Sequence, residues 1–111
     1  MQARLTYVIK YVADMDKAVA FHRDTLGLPL KFQSPYWTEF VTGDTTLALH
    51  IASEEKPAGA CQLGFGVSDI ADVYARREEL GLTFTAEPVQ QHGSTLGRFL
   101  DSEGAECSIS G

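Results

Sequence analysis

The stretches that decide the fold are Arg23–Phe32, "RDTLGLPLKF", and Arg77–Ala86, "REELGLTFTA". In each, charged residues run into Leu-Gly-Leu and then into an apolar segment, which predicts a helix that ends at a glycine and is followed by a strand. Two such junctions in 111 residues indicate an internal repeat. The polar linker "SEEKPAGA" (Ser53–Ala60) separates the copies, so we expect one domain made of two modules, about 1–53 and 60–111.

Each module has the order strand, helix and then two or three strands. One helix should run from Asp14 to Gly27 and the other from Ser68 or Asp69 to Gly81, with the acidic or hydroxyl residue as N-cap and the glycine as the stop. On the first helix, Val19 and Leu26 should share one apolar stripe. Strands are predicted at "LTYVIKYV", "LKFQS", "WTEFVT", "TLALHI", "CQLGFGV", "TFTAE", "TLGRFLD" and "AECSIS". This pattern predicts an α+β fold in which each helix covers one face of its sheet. If the two sheets pack side by side and curl, their opposite faces line a concave cavity.

Composition limits the function. Fifteen acidic and nine basic residues give a formal charge of -6, and no Lys/Arg cluster is present, so a nucleic acid or an anionic membrane surface is not expected as a partner. The N-terminal sequence does not resemble a leader peptide and no apolar run approaches about 20 residues, so we expect a cytoplasmic protein. Cys61 and Cys107 lack zinc-site spacing and are expected to be buried small side chains, not a disulfide.

Four motifs carry a family resemblance: "V.DM.KAV.F.RDTLGL", "W.EF..G.TTLALH", "V.DI" at the second helix, and "FLDSEG" before the last strand. Together they resemble the vicinal oxygen chelate superfamily, which includes glyoxalase I, bleomycin resistance proteins and extradiol dioxygenases. The resemblance covers essentially the whole chain. It implies two βαβββ modules that form a curved, half-barrel-like mixed sheet with the helices on the outer face, and a homodimer. Because this superfamily uses one scaffold for several chemistries and for drug binding, the resemblance does not choose a function.

The resemblance also points to four positions. Metal-dependent members carry inward-facing His or Glu ligands on the first and last strands of each module; carried over residue by residue, those positions are Tyr7, His50, Gln62 and Ser108. Only His50 is a good ligand for a divalent metal. We therefore expect no complete metal site and no firm cofactor. Glu106, two residues before Ser108 and on the same face, is the fallback partner for a metal at His50.

Two further residues are candidates for a ligand-binding pocket. Trp37 begins the "WTEF" strand and is interpreted either as a stacking wall for a flat ligand or as a tryptophan at the edge of the core. Arg98 is either an anchor for an anionic group or a solvated strand residue. Tyr7 is open in the same way, as a pocket hydroxyl or as plain aromatic packing.

Three other residues are assigned no site role. His22 is expected to pack on the first helix or at an interface, and His92 is expected to lie in a surface loop. Lys10 alternates with Val8 and Val12, on the face that should meet the helix, where the extended side chain would reach to the edge.

The sequence leaves two function classes open. The first is a binding module, in which a dimeric concave cavity holds a small organic molecule, aromatic or cationic in character, between residues such as Tyr7, Trp37, His50 and Gln62. The alternative is an enzyme of the same superfamily: a metal-dependent lyase, isomerase or dioxygenase, or a metal-free enzyme in which His50 is the general base beside Tyr7. The sequence contains no Gly-x-Ser-x-Gly motif and no phosphate-binding glycine loop.

Overall fold

The computed structural model describes residues 1–111 and contains eight strands and three short α-helices. The chain forms two compact units, which we call the first unit (Thr6–Gln62) and the second unit (Met1–Leu5 with Leu63–Gly111). The elements from the N-terminus to the linker are β1 (Arg4–Val12), α1 (Met15–Ala20), β2 (Leu30–Gln33), β3 (Trp37–Phe40) and β4 (Thr46–Ile51). Those after the linker are β5 (Cys61–Gly66), α2 (Ile70–Ala75), α3 (Arg77–Leu80), β6 (Thr83–Gln91), β7 (Ser94–Leu100) and β8 (Glu106–Ser110).

Both units combine parallel and antiparallel strands. In the first unit the order is β2-β3-β4-β1, with β4 parallel to β1 and antiparallel to β3. In the second unit the order is β5-β8-β7-β6, with β8 parallel to β5 and antiparallel to β7. A parallel pair needs a long crossover, which α1 and the strands after it provide in one unit and α2 and α3 begin in the other. The predicted α+β class with a mixed sheet is confirmed.

Helices α1 and α2 begin at the predicted aspartates. Asp14 and Asp69 have extended backbones, and their carboxylates accept the backbone N–H of Lys17 and Asp72 respectively, each at 3.1 Å. These bonds satisfy donors that the first helical turn would otherwise leave unpaired. Asp69, and not Ser68, is therefore the N-cap of α2.

The glycine stops are also confirmed in geometry. Gly27 and Gly81 have φ angles of +72° and +74°, in the left-handed region that residues with a side chain rarely adopt. At Gly81 the backbone N–H closes α3 by donating to the carbonyls of Arg77 and Glu78. The repeated Leu-Gly-Leu sequence thus ends a helix by the same backbone conformation in both units.

The first helix is less regular than its sequence predicts. After Ala20 it widens into a π turn at Phe21–Thr25, in which the N–H of Leu26 donates to the carbonyl of Phe21, five residues back. The wider turn rotates the residues after it, so the expected apolar stripe containing Val19 and Leu26 is wrong: Val19 is 1% exposed and Leu26 is 54% exposed. Leu28 packs against the core instead.

Each unit has its own core under its helix. In the first unit Met15 and Val19 of α1 pack on Phe40 and Leu49 of the sheet. In the second unit, the buried cluster is formed by Val67, Ile70, Val73 and Ile109. Because strand side chains alternate between faces, each helix buries one face of its own sheet and leaves the other face for different residues.

Lys10 has a structural explanation. Its ammonium group donates to the carbonyl oxygen of Gly59 at 3.0 Å, which ties β1 to the end of the linker. Cys107 is buried as expected, but the expectation is wrong for Cys61, which is exposed; neither cysteine is in a disulfide. Strand β6 continues to Gln91, beyond the predicted "TFTAE", because it pairs with β7 up to a tight turn at His92 and Gly93 with φ angles of 52° and 80°. No helix is long and apolar enough to cross a membrane.

Replacing either stop glycine should test whether the left-handed backbone explains why glycine occupies both positions. Open space surrounds the position that a Cβ would occupy at Gly27 and Gly81, so Gly27→Ala and Gly81→Ala should each lower the free energy of unfolding by about 1 kcal/mol through the left-handed backbone alone. Chemical denaturation with tryptophan fluorescence and circular dichroism measures the change.

Asparagine provides the matched control, because it tolerates left-handed backbone better than alanine does. Gly81→Asn should therefore cost less than Gly81→Ala. Equal losses for both variants would contradict the conformational explanation.

Candidate functional site

The sheet face of the first unit that points away from α1 carries a cluster of ring-bearing and charged side chains. We call this set the aromatic face: Tyr7, Tyr11, Trp37, Glu39 and His50. Strand register brings its members together, since His50 on β4 lies opposite Tyr11 on β1 and opposite Trp37 on β3. Buried Ile9 and Ala48 pack with Tyr11 beneath these groups, and Tyr7 and Trp37 pack against them. The polar groups therefore lie next to buried apolar side chains.

His50 lies between two aromatic rings. Its ring centroid is 5.2 Å from that of Tyr11 and 6.0 Å from that of Trp37, with the indole nearly perpendicular to the imidazole. The Nδ1 atom is 2.7 Å from the carbonyl oxygen of Ile51. Since a carbonyl oxygen can only accept, Nδ1 carries the hydrogen, so the neutral form of the ring has its lone pair on Nε2. His50 thus has the tautomer that a general base needs.

Glu39 is the centre of the hydrogen bonding on this face. One carboxylate oxygen, Oε2, accepts the indole N–H of Trp37 at 2.8 Å and the hydroxyl of Tyr7 at 3.5 Å. The other oxygen, Oε1, lies 3.7 Å from the ammonium nitrogen of Lys31. The Glu39 side chain is only 16% exposed, whereas that of Lys31 is 58% exposed. A mostly buried carboxylate thus accepts hydrogen bonds from two aromatic side chains at one oxygen.

A strand irregularity accounts for the position of Lys31. Leu30 pairs with Phe40 and Phe32 pairs with Glu39, so Lys31 is an extra residue on β2 with no partner of its own on β3. Bulges of this kind redirect a side chain and are common beside binding sites. Here the extra residue carries a cation to the edge of the aromatic face.

Tyr11 links the predicted Gln62 to this group. The Tyr11 hydroxyl donates to Oε1 of Gln62 at 3.0 Å, and Gln62 is 6% exposed. The amide oxygen that the family resemblance placed at a ligand position is thus already used by a neighbouring phenol. This hydrogen bond holds the amide with its oxygen toward Tyr11.

Arg98, Ser108 and Glu106 belong to the second unit. Arg98 pairs with Ser108 across β7 and β8, and its side chain is exposed. Ser108 is half-buried and lies beside Gly64 of β5. Glu106 accepts the Thr85 hydroxyl at 3.3 Å. These residues share the face away from α2, because Cys107 and Ile109, which alternate with them, are buried.

Of the residues singled out from sequence, Tyr7, Trp37 and His50 lie together, and Gln62 joins them through Tyr11. Their role in ligand binding stays a prediction. Sequence reasoning missed Glu39, Tyr11 and Lys31. A signal for the first two was available, since Glu39 alternates with Trp37 and Tyr11 lies four residues after Tyr7, each on the same face of its strand.

Other histidines lie apart from this cluster. His22 donates from Nδ1 to the Ala18 carbonyl at 2.8 Å and lies near the ring of Phe40, which agrees with its expected role in helix packing. His92 is exposed in the β6–β7 turn, as expected for a surface loop.

The donors on the aromatic face do not fit a tight divalent metal. Across residues 1–111, no group of three or more His, Cys, Asp or Glu side chains is placed to hold one. The contacts leave His50 as the one strong ligand among the four family positions, because Gln62 already accepts from Tyr11 and Tyr7 donates as a neutral phenol. A phenol, an amide and a single imidazole make a weak ligand set.

A broad surface depression of about 710 Å³ lies elsewhere on the first unit. Its walls come from the start of α1 and the β2–β3 turn, including Asp14, Asp16, Ser34 and Pro35. Asp14 is already used as a helix cap, and Ser34 bonds the backbone of the turn. These polar groups stabilise local structure, so the aromatic face remains the better candidate for recognition.

A duplicated strand-helix-strand unit with parallel and antiparallel strands, and with polar and aromatic residues on the face opposite the helix, defines the class of protein. Residues 4–108 match the model of the Glyoxalase/Bleomycin resistance protein/Dioxygenase superfamily. The chain belongs to this superfamily.

Relatives agree with this assignment. The uncharacterized protein YurT of Bacillus subtilis (strain 168) is 33% identical over 111 residues, covering 85% of this chain and 87% of that protein. Methylmalonyl-CoA epimerase from Mycobacterium tuberculosis has a similar structure, with a TM-score of 0.79, 19% identity, and coverage of 96% of this chain and 85% of that chain. A superfamily member from Vibrio splendidus 12B01 has a TM-score of 0.69 and 18% identity, with 98% of both chains covered. At these identities the two structures establish the fold alone.

The phenol of Tyr7 should titrate unusually late. Burial raises its pKa above the ordinary value of 10.0, and the nearby Glu39 carboxylate raises it further by its charge and by accepting the hydroxyl. The native pKa is therefore above that of the unfolded chain. The stabilisation from the neutral phenol is fully present below about pH 10 and is lost as the pH rises through the native pKa.

Phenolate absorbance measured against pH, in the parent protein and in Tyr7→Phe, isolates this group by difference. Glu39→Gln should lower the Tyr7 pKa but leave it above the ordinary value, because burial is the larger cause. Titration of Tyr7 at or below about pH 10 in the parent protein would contradict the contact with Glu39.

Proposed function

We propose that this chain is a single glyoxalase/bleomycin-resistance-like domain that binds a small organic molecule on the aromatic face, without a complete metal site. The observation that supports the proposal is the arrangement of Trp37, Glu39 and His50 on one side of a sheet whose other side is filled by the helix core. Small-molecule sites combine apolar and aromatic walls with a few fixed polar groups. The aromatic face has both.

The polar groups are oriented in advance, which favours binding over simple packing. Glu39 is fixed by the indole and a phenol, His50 by a backbone carbonyl, and Gln62 by Tyr11. Groups that are already held in place lose little conformational entropy when a ligand arrives.

Binding should be detectable through Trp37, because it is the chain's single tryptophan and lies within 6.0 Å of the rings of both Tyr7 and His50. In a panel of small metabolites, a ligand should change the Trp37 emission and raise the melting temperature. His50→Ala should weaken both responses, since it removes a wall of the site.

His92→Asn provides the matched control. It replaces a histidine in the exposed β6–β7 turn with a residue that accepts a positive φ angle, and it should leave ligand responses unchanged. Responses that survive in His50→Ala would remove His50 from the proposed site.

Metal analysis tests the second part of the proposal. Protein purified without chelator should contain well below one equivalent of transition metal, because His50 is the only strong ligand among the four family positions. One equivalent of bound metal that is lost in His50→Ala would overturn this part. Retention of metal in a His22→Asn control would then assign it to His50.

The alternative function is an enzyme in which His50 is the general base. The observation that favours it is the hydrogen bond from Nδ1 to the Ile51 carbonyl, which leaves the basic lone pair on Nε2. Tyr7 would then serve as a neutral hydrogen-bond donor. A proton abstracted from a bound ligand would exchange with solvent deuterium in the parent protein and not in His50→Gln, and this exchange separates catalysis from binding alone.

We also propose that the chain acts as a homodimer. Large apolar side chains are exposed along the π turn and β2, among them Phe21, Leu26 and Phe32, and β2 is an edge strand. Exposed apolar patches and open strand edges favour association.

A further inference from the structure

The two oxygens of the Glu39 carboxylate differ in their contacts: one accepts two hydrogen bonds, and the other has only a long contact with a cation. Trp37 and Tyr7 both donate to Oε2, whereas Oε1 faces only the Lys31 ammonium at 3.7 Å, which is longer than a hydrogen bond. We propose that Oε1 of Glu39, with the Trp37 and Tyr7 rings, binds the ammonium group of an amine ligand, which displaces Lys31. This inference rests on the proposed function and specifies the chemical class of its ligand.

The surroundings of Glu39 are those that recognise a cation. The rings of Trp37 and Tyr7 lie 6.0 Å apart and both hold the carboxylate. Aromatic faces attract ammonium groups, and tryptophan does so most strongly. A carboxylate that is 16% exposed also interacts more strongly with a nearby cation than one in open water would. Charge and ring chemistry thus favour the same kind of group.

The contact of Lys31 shows that the position beside Oε1 of Glu39 accepts an ammonium group and that the lysine side chain can be displaced. It already places an ammonium beside Oε1, yet the side chain is 58% exposed and lies outside hydrogen-bond range. Exposed ion pairs of this kind contribute little, because solvent screens them and the long side chain loses freedom. Lys31 can return to water without leaving a buried cation behind. A ligand ammonium that reaches hydrogen-bond distance would therefore replace a weak contact with a stronger one.

The opposite charge preference is disfavoured. An anionic ligand would have to approach Glu39, and the formal charge of the chain is -6. Only Lys31 offers it a cation in the contacts of Glu39, and that ammonium is already beside Oε1. Net acidity raises the local concentration of cations and lowers that of anions.

Three probes of similar shape test the proposal: benzylamine, benzyl alcohol and benzoate, titrated into the full chain with Trp37 emission and calorimetry as readouts. The parent protein should bind benzylamine at least about tenfold more tightly than either other probe. Glu39→Gln should abolish that preference. Lys31→Met, which keeps the length of the side chain and removes the competing ammonium, should strengthen benzylamine binding several-fold.

The controls separate a folding defect from a lost contact. Lys17→Met removes an exposed lysine of α1 and should leave benzylamine binding unchanged, and circular dichroism should show that Glu39→Gln is folded. Tighter binding of benzoate or benzyl alcohol than of benzylamine, or weaker benzylamine binding in Lys31→Met, would overturn the amine assignment.

A metabolite panel distinguishes this failure from failure of the binding function. If a neutral or anionic compound changes Trp37 emission in a His50-dependent way and no amine does, the proposed function stands and the amine assignment falls. If no probe and no compound in the panel binds, both fall.

Discussion

The packing of one short helix against one sheet face is the constraint on which the rest of each unit depends. Val19 and Met15 bury Phe40 and Leu49, and burying apolar side chains of this size contributes about 2 kcal/mol each. Because neighbouring strand residues point to opposite faces, committing Phe40 and Leu49 to the helix commits Glu39 and His50 to the other side. The core thus decides which residues are available for recognition, and a shift of one residue in register would exchange the two sets.

On the other face, the side chains are organised by the carboxylate of Glu39. It is the common acceptor for an indole and a phenol from two different strands, β3 and β1. A partly covered acceptor left without donors would cost free energy, so the two rings are held where they satisfy it. Burial, together with the charge of Glu39 and the hydrogen bond that it accepts from Tyr7, raises the pKa of the Tyr7 phenol and keeps it neutral, as a hydrogen-bond donor must be.

Much of the fold could be predicted from sequence, because its signals are local. The strand pattern of "TLALHI" predicts β4, and Asp14, Gly27, Asp69 and Gly81 mark the helix ends. Less of the candidate site could be predicted from the sequence. The sequence predicts Trp37 and His50 as pocket residues, but the Lys31 bulge depends on how β2 pairs with β3, and the contact of Tyr11 with Gln62 joins residues 51 positions apart. Leu26 was misplaced because a π turn shifts the helical period, and period reasoning assumes a constant one.

The wide turn in the first helix corresponds to a difference in length between the two halves. Thirteen positions separate Asp14 from Gly27, whereas twelve separate Asp69 from Gly81. A π turn closes its hydrogen bond over five residues where an α turn uses four, so it takes up one extra residue within the same helix. Phe21–Thr25 is therefore where the first helix fits one more residue than its counterpart between an aspartate cap and a glycine stop. The duplicated unit tolerates a change in length inside its helix while the two ends stay fixed.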